Sequence, residues 1–285
     1  MSKGRASKEA REPDVFLRIS GEIINRLKPH TKPILIASVV IAMVAIAGAV
    51  LNFMQQNREL KAQSEYIAAE KAYVKKTTDA TEAQTKIKNL ETELANLKKP
   101  AKKEKNKETP RAKADIEKDI ADAKAKQLSG DFEKDYGSFV VGFKKVINDA
   151  PETQAAIMAS LYLAQIYAEN KKFEEGISAL SNSRLKYREG KLLYGLAQMK
   201  LGQLLEQSGK CQDSINTWQR VLAFKELSYF HPEATLATAV CYETLKNVDK
   251  AQELYKKTHA DFKNSPAGAN AQKYLRLLSL KGKDS

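Results

Sequence analysis

Residues 159–180 read ASLYLAQIYAENKKFEEGISAL, residues 197–218 read AQMKLGQLLEQSGKCQDSINTW, and residues 234–255 read ATLATAVCYETLKNVDKAQELY. Set beneath one another, the three windows share one pattern. A small residue (Ala164, Gly202, Ala239) is followed three positions later by a large one (Tyr167, Leu205, Tyr242). A second small residue comes nine positions after that (Gly176, Ser214, Ala251), and Leu180, Trp218 or Tyr255 four later. The units recur 38 and 37 residues apart, from 164 to 202 and from 202 to 239. The pattern has a steric reason: two antiparallel helices cross closely only where small residues sit at the contact and bulky ones fill the space beside it. Asn170-Lys171-Lys172, Ser208-Gly209-Lys210 and Lys246-Asn247-Val248 supply the turns. Each pair leaves an apolar face that its neighbour must cover, so the pairs are expected to stack.

Flanking half-units extend the array. Phe139, Phe143 and Pro151 read as the second helix of a degenerate unit, and Ser265-Pro266 opens a last helix bearing Ala269, Tyr274, Leu275 and Leu278, a cap over the final pair.

Towards the N-terminus, Ile34–Leu51 is a charge-free run, ILIASVVIAMVAIAGAVL, which Phe53 and Met54 prolong. About 20 such residues match the ~30 Å hydrocarbon core of a bilayer. Ala47 and Ala49 provide a small-x-small pattern that a signal peptidase could use. The preceding 33 residues, however, exceed a usual signal-peptide lead, and the apolar run continues past the cut. Arg18, Arg26, Lys28 and Lys32 precede the span, against Arg58 and Lys61 after it, so the positive-inside rule puts the N-terminus in the cytoplasm and everything after residue 54 across the membrane. Phe16, Ile19, Ile23 and Leu27 recur at helical spacing in the lead-in, which suits either the headgroup region or a partner helix.

Between span and repeats, Gln55–Lys99 contains neither Pro nor Gly. Tyr66, Tyr73, Ala80, Ala83, Ile87, Leu90, Leu94 and Leu97 form a heptad seam, and Ala112–Leu128, with Ile116, Ile120 and Ala123, provides a partner helix. Pro100 and Pro110 bracket the turn KKEKNKET. The reading is an antiparallel coiled-coil hairpin with a basic tip, suited to anionic lipid or an acidic partner, or serving only as a solvated loop.

The expected fold is therefore all-α: a cytoplasmic segment (1–33), one transmembrane helix (34–54), a helical stalk and hairpin (55–130), and a repeat solenoid (131–285). The net charge of +13 is spread along the chain rather than gathered on one face, apart from Lys98–Lys113, which has eight basic and two acidic residues and no aromatic. That argues against sequence-specific nucleic-acid binding. The chain has no phosphate-binding glycine loop, no G-x-S-x-G and no H-E-x-x-H, so no enzymatic activity is expected. His30, His231 and His259 lie apart and no Cys-x-x-Cys occurs, so neither metal nor cofactor is expected. Cys211 opens a second helix and Cys241 ends the next first helix, levels that antiparallel packing brings together. In an oxidising compartment they are a candidate disulfide, and otherwise two buried thiols.

The repeats resemble the tetratricopeptide repeat, whose period is slightly shorter (about 34 residues), so extended loops are expected here. The order of segments resembles the bacterial ancillary translocon subunits, which share a tetratricopeptide domain type with the cell-division coordinator proteins. The matching stretches are the lead-in at 11–33, the span, AQSEYIAAEKAYV at 62–74, FEKDYGSFVVGF at 132–143 and the repeat at 159–180, with residues 76–130 as an insertion. The resemblance implies a single-pass inner-membrane protein of a Gram-negative bacterium, with its repeats in the periplasm, acting as a scaffold for the Sec translocon, periplasmic chaperones and exported chains. A structural role in envelope assembly or division, and a membrane-surface or nucleic-acid binder working through the basic tip, are the alternatives.

In such arrays the first helix of each pair lines the groove. The groove positions are then Met158, Leu161, Gln165 and Glu169 in the first unit, Leu196, Met199, Gln203 and Glu206 in the second, and Glu233, Leu236, Val240 and Glu243 in the third. None is cationic, which disfavours clamping of a C-terminal carboxylate, and apolar segments with basic flanks are the expected ligands.

Overall fold

In the computed structural model, which describes residues 31–97, 112–181 and 189–281, all regular structure is helical. The amphipathic lead-in up to residue 30 and the basic stretch 98–111 lie outside the described residues. Helix α1 spans Thr31–Leu97, with Pro33 in its first turn, where the missing N–H costs no bond. Then follow α2 (Lys113–Lys124), α3 (Phe132–Asp149), α4 (Gln154–Glu169), α5 (Phe173–Ser181), α6 (Leu192–Gln207), α7 (Cys211–Leu222), a 3₁₀ turn (Lys225–Phe230), α8 (His231–Thr244), α9 (Val248–Asp261) and α10 (Pro266–Lys281).

Met1–Asn57 and Arg58–Ser285 form separate units. In the first, Leu35, Ile41, Val44 and Leu51 are 65–69 % exposed. Among the described residues one helix is long and apolar enough to cross a membrane, and none of its apolar window is buried.

In the second unit the seam of α1 meets two partners in succession. Leu90 and Leu94 pack on Ile116 and Ile120 of α2, and Gln127 donates to Gln84 alongside. Ala62, Tyr66 and Tyr73 instead enter a cluster with Tyr136, Val140 and Phe143 of α3 and Ala159 and Leu163 of α4. The hairpin seam expected along the whole stalk is thus confined to its far end. The reason is length: α2 has 12 residues, about 18 Å of helix, too short to cover the tyrosines.

The polar contacts show the direction of α1. Glu59 accepts from the backbone N–H groups of Gln154 and Ala155 at the start of α4, Glu65 pairs with Lys145 at 2.7 Å, and the Tyr73 hydroxyl donates to Glu169 near the end of α4. The helix is therefore antiparallel to α3 and parallel to α4, the position of a first helix in the degenerate unit whose second helix is α3. Opposite Gly142 of α3 a Cβ would lie only 3.4 Å from that of Ala69.

The three full pairs are α4–α5, α6–α7 and α8–α9. Small residues occupy each crossing. A Cβ at Gly202 would fall 2.2 Å from Trp218 Nε1, and one at Gly176 would fall 3.1 Å from Leu204 Cδ1. Ala164, Ala239 and Ala251 are fully buried. Ser214 Oγ donates to the Gly202 carbonyl at 2.6 Å, so the hydroxyl fits the crossing without an unmet polar group. Leu180, Trp218 and Tyr255 fill the adjoining space, all at most 1 % exposed.

The turns repeat as closely as the crossings. Lys171, Gly209 and Lys246 occupy equivalent positions with φ of 58°, 79° and 64°. In each, the next residue's N–H closes onto the carbonyl of Tyr167, Leu205 or Tyr242, at 2.8, 2.8 and 2.9 Å, a Schellman closure. Two of the three left-handed positions thus carry a lysine.

The extra length over the usual period has a visible use. The 3₁₀ turn between α7 and α8 places Leu227 and Phe230 against Gly195 of α6. The approach is so close that a Cβ there would meet the Phe230 ring edge and a Leu227 methyl within 2.9 Å. At the C-terminal end α10 packs Ala267 and Ala271 into the α8–α9 core, and Tyr274 stacks on Tyr255 at 5.3 Å.

Cys211 and Cys241 are joined as a disulfide between α7 and α8, with Cα atoms 5.1 Å apart and a sequence separation of 30. Both are buried, in a cluster with Ile215, Trp218 and Ala234.

The turns and the bond can each be probed by substitution. Lys171→Gly and Lys246→Gly should each leave stability equal or raised by up to about 1 kcal/mol, because glycine adopts the left-handed geometry without strain, whereas Gly209→Ala should lower it by about 1 kcal/mol, read by urea unfolding. Removing both thiols as Cys211→Ala with Cys241→Ala should cost about 3 kcal/mol, from the lost loop constraint, and reductant should then no longer shift the unfolding midpoint.

Candidate binding groove

The first helices α4, α6 and α8 share one face of the solenoid. The expected groove positions are spread along it, and their surroundings differ from unit to unit.

At α4 one flank of the face packs against the chain's own α1, the preceding first helix. Tyr162 lies between Tyr66 and Tyr73 with ring centroids 5.9 and 6.0 Å away, and its hydroxyl donates to Glu70. Burial and hydrogen bonding to Glu169 push the Tyr73 phenol well above the ordinary tyrosine range, and for Tyr66 burial and Glu70 do the same. These hydroxyls are therefore fixed as donors. Met158 packs against this aromatic cluster, and Glu169 receives the Tyr73 hydroxyl on one oxygen and the Gln165 side-chain amide on the other. Of the first unit's four positions, Gln165 and Glu169 stay exposed though hydrogen-bonded, and half-buried Leu161 borders an open space.

That open space is a recess of about 420 Å³ bounded by Leu161 of α4, five residues of α6, Trp218 of α7, and Glu233 and Ala237 of α8. Its size lies within the roughly 300–1,000 Å³ of ligand-binding clefts. All four second-unit positions, Leu196, Met199, Gln203 and Glu206, line it. In the third unit only Glu233 does. Leu236 is 5 % exposed inside the α8–α9–α10 core, Val240 packs on the same core, and Glu243 accepts from the Tyr255 hydroxyl at 2.9 Å.

Lys200, Trp218 and Ala237 complete the lining and were not among the expected positions. The signal for two of them was present: Tyr162, Lys200 and Ala237 form one column at the repeat spacing of 38 and 37, four residues beyond the column Met158, Leu196, Glu233. Trp218 is also a packing residue of the α6–α7 crossing. Its ring forms the floor against Gly202, while its Nε1–H lacks an acceptor among the described residues. The disulfide lies directly beneath, since Met199 and Ala237 pack on the cluster that contains it.

The charges divide between the two ends of the recess. Lys200 Nζ donates to Gln165 Oε1, which links it through Glu169 to Tyr73 on α1. Burial lowers the Lys200 pKa, opposed by the Glu169 carboxylate. About six residues further along α6, some 9 Å in rise, Glu206 is half-buried. Burial first, and the neighbouring Glu233 second, push its carboxyl above the ordinary range. Among the described residues no group of three or more metal-ligating side chains occurs.

Comparison with known proteins agrees with the repeat reading. Residues 233–265, which cover α8, its turn and α9, match the tetratricopeptide repeat family model. No curated protein matches the chain. Among solved structures, the chain is similar to the crystal structure of MamA, at 19 % identity and a TM-score of 0.37, over 55 % of this chain and 96 % of that one. It is similar also to the crystal structure of the Podosopora anserina putative kinesin light chain nearly identical TPR-like repeats, at 15 % identity and a TM-score of 0.38, over 70 % of this chain and 94 % of that one. Tetratricopeptide repeats generally bind proteins and are generally non-catalytic. The C-terminal part of this chain is a tetratricopeptide-like α-solenoid, a fold of protein–protein interaction.

Proposed function

We propose that the protein is a membrane-anchored interaction scaffold that holds translocon subunits or periplasmic chaperones, together with exported chains, at the outer face of a bacterial inner membrane. The observation that carries the binding part is the recess on α6, where Leu196 stands exposed and half-buried Leu161 and Met199 border open space. The anchor rests on the exposed apolar stretch of α1 and on the basic residues before it. The choice of partner rests on the order of segments that resembles the ancillary translocon subunits. A buried disulfide in a small repeat array also suits a compartment outside the reducing cytosol.

Two measurements test this reading. A reporter active only outside the cytosol, fused after Ser285, is expected to be active, and an inactive reporter overturns the topology. A photo-crosslinking amino acid at Met199 is expected to give adducts with translocon subunits or periplasmic chaperones in cells. Adducts confined to further copies of the chain or to wall-synthesis enzymes would instead favour envelope assembly or division and overturn the translocon assignment.

A further inference from the structure

The recess carries a charge asymmetry that a ligand of matching chemistry would complement. Its walls are apolar at Leu161, Leu196 and Met199, and Trp218 closes the floor. At the α8 end two carboxylates, Glu206 and Glu233, face the same space, and neither has a cationic partner among the described residues. Burying a carboxylate beside a like charge is unfavourable unless a cation or hydrogen-bond donors compensate it. The one cation among the described residues of the recess, Lys200, sits at the opposite end and is engaged by Gln165.

We propose that the recess binds a protein segment in which an apolar side chain is followed by an arginine or lysine, the apolar group resting against Leu196, Met199 and Trp218 and the cation lying between Glu206 and Glu233. The proposal rests on the scaffold reading and names the partner's chemistry. Charge complementarity selects this occupant over others. A segment ending in a free carboxylate would meet two like charges at one end and, at the other, a Lys200 already engaged by Gln165. A purely apolar segment would leave the two carboxylates uncompensated and still more desolvated. The cation also favours a definite polarity, because Leu196 and Met199 precede Glu206 along α6.

The test uses the full chain in detergent and a short fluorescent peptide bearing two leucines followed by one arginine, together with its twin carrying citrulline, the neutral isostere of arginine. Binding is read by anisotropy, with the wild type, with Glu206→Gln plus Glu233→Gln, and with Leu196→Asp. Far-UV circular dichroism checks that the variants are folded, and all three positions are solvent-accessible enough for that to be expected. The arginine peptide should bind about tenfold more tightly than its twin, as for one partly desolvated charge pair. The double glutamine variant should erase that difference, and Leu196→Asp should weaken both peptides. Equal binding of the two peptides, still lost in Leu196→Asp, would overturn the cation site while leaving the scaffold reading in place. Binding of neither peptide, or binding indifferent to Leu196→Asp, would overturn the recess as a docking surface and count against both.

Discussion

The structure depends on how closely two helices can approach. At Gly202 the ring of Trp218 occupies the volume in which any side chain would stand, and at Gly176 the approach is close but looser, with Leu204 Cδ1 3.1 Å from an added Cβ. Interiors pack at crystal-like density, so a methyl group in that position displaces a helix rather than compressing a contact. Each crossing sets the tilt of its pair, and the tilt sets where the next pair can stack. The left-handed closures at Lys171, Gly209 and Lys246 serve the same end, because they return the chain at one angle in every unit. Two lysines in a conformation that favours glycine indicate that this angle outweighs the local strain it costs.

The stalk acquires its meaning from the same geometry. The α3 helix has no first helix next to it in sequence, and the far longer α1 fills that place from about 60 residues upstream. Its two tyrosines enter the aromatic cluster of Phe139, Phe143 and Tyr162, and Glu59 takes up the N–H groups at the start of α4. The packing of Leu90 and Leu94 against α2 is an excursion within this unit rather than a separate step in the chain. The stalk is thereby part of the solenoid itself.

The groove inherits its character from what α1 does and does not reach. Gln165 and Glu169 face the same side as Gln203 and Glu206, yet the first pair is hydrogen-bonded to the stalk and to Lys200, whereas the second lines the recess. Equivalent positions in a repeat are therefore not equivalent sites. Leu236 shows the same thing from the other end: the cap helix α10 deepens the core beneath α8, and a position open in the second unit is buried in the third.

Periodicity made much of this legible without coordinates. The spacing of small and bulky residues specifies paired helices, because van der Waals volume at a crossing is a local property of those residues. The charge-free run specifies an apolar helix, and the heptad positions specify which face of the stalk is buried. None of these patterns says which helix covers that face. That Tyr66 and Tyr73 leave the hairpin for α3 and α4, that Lys200 and Trp218 join the recess, and that Leu236 and Glu243 turn inward were decided only in the tertiary structure. The physical reason is that burial depends on what arrives from distant parts of the chain, and a repeat written in sequence records only what each unit offers to its neighbours.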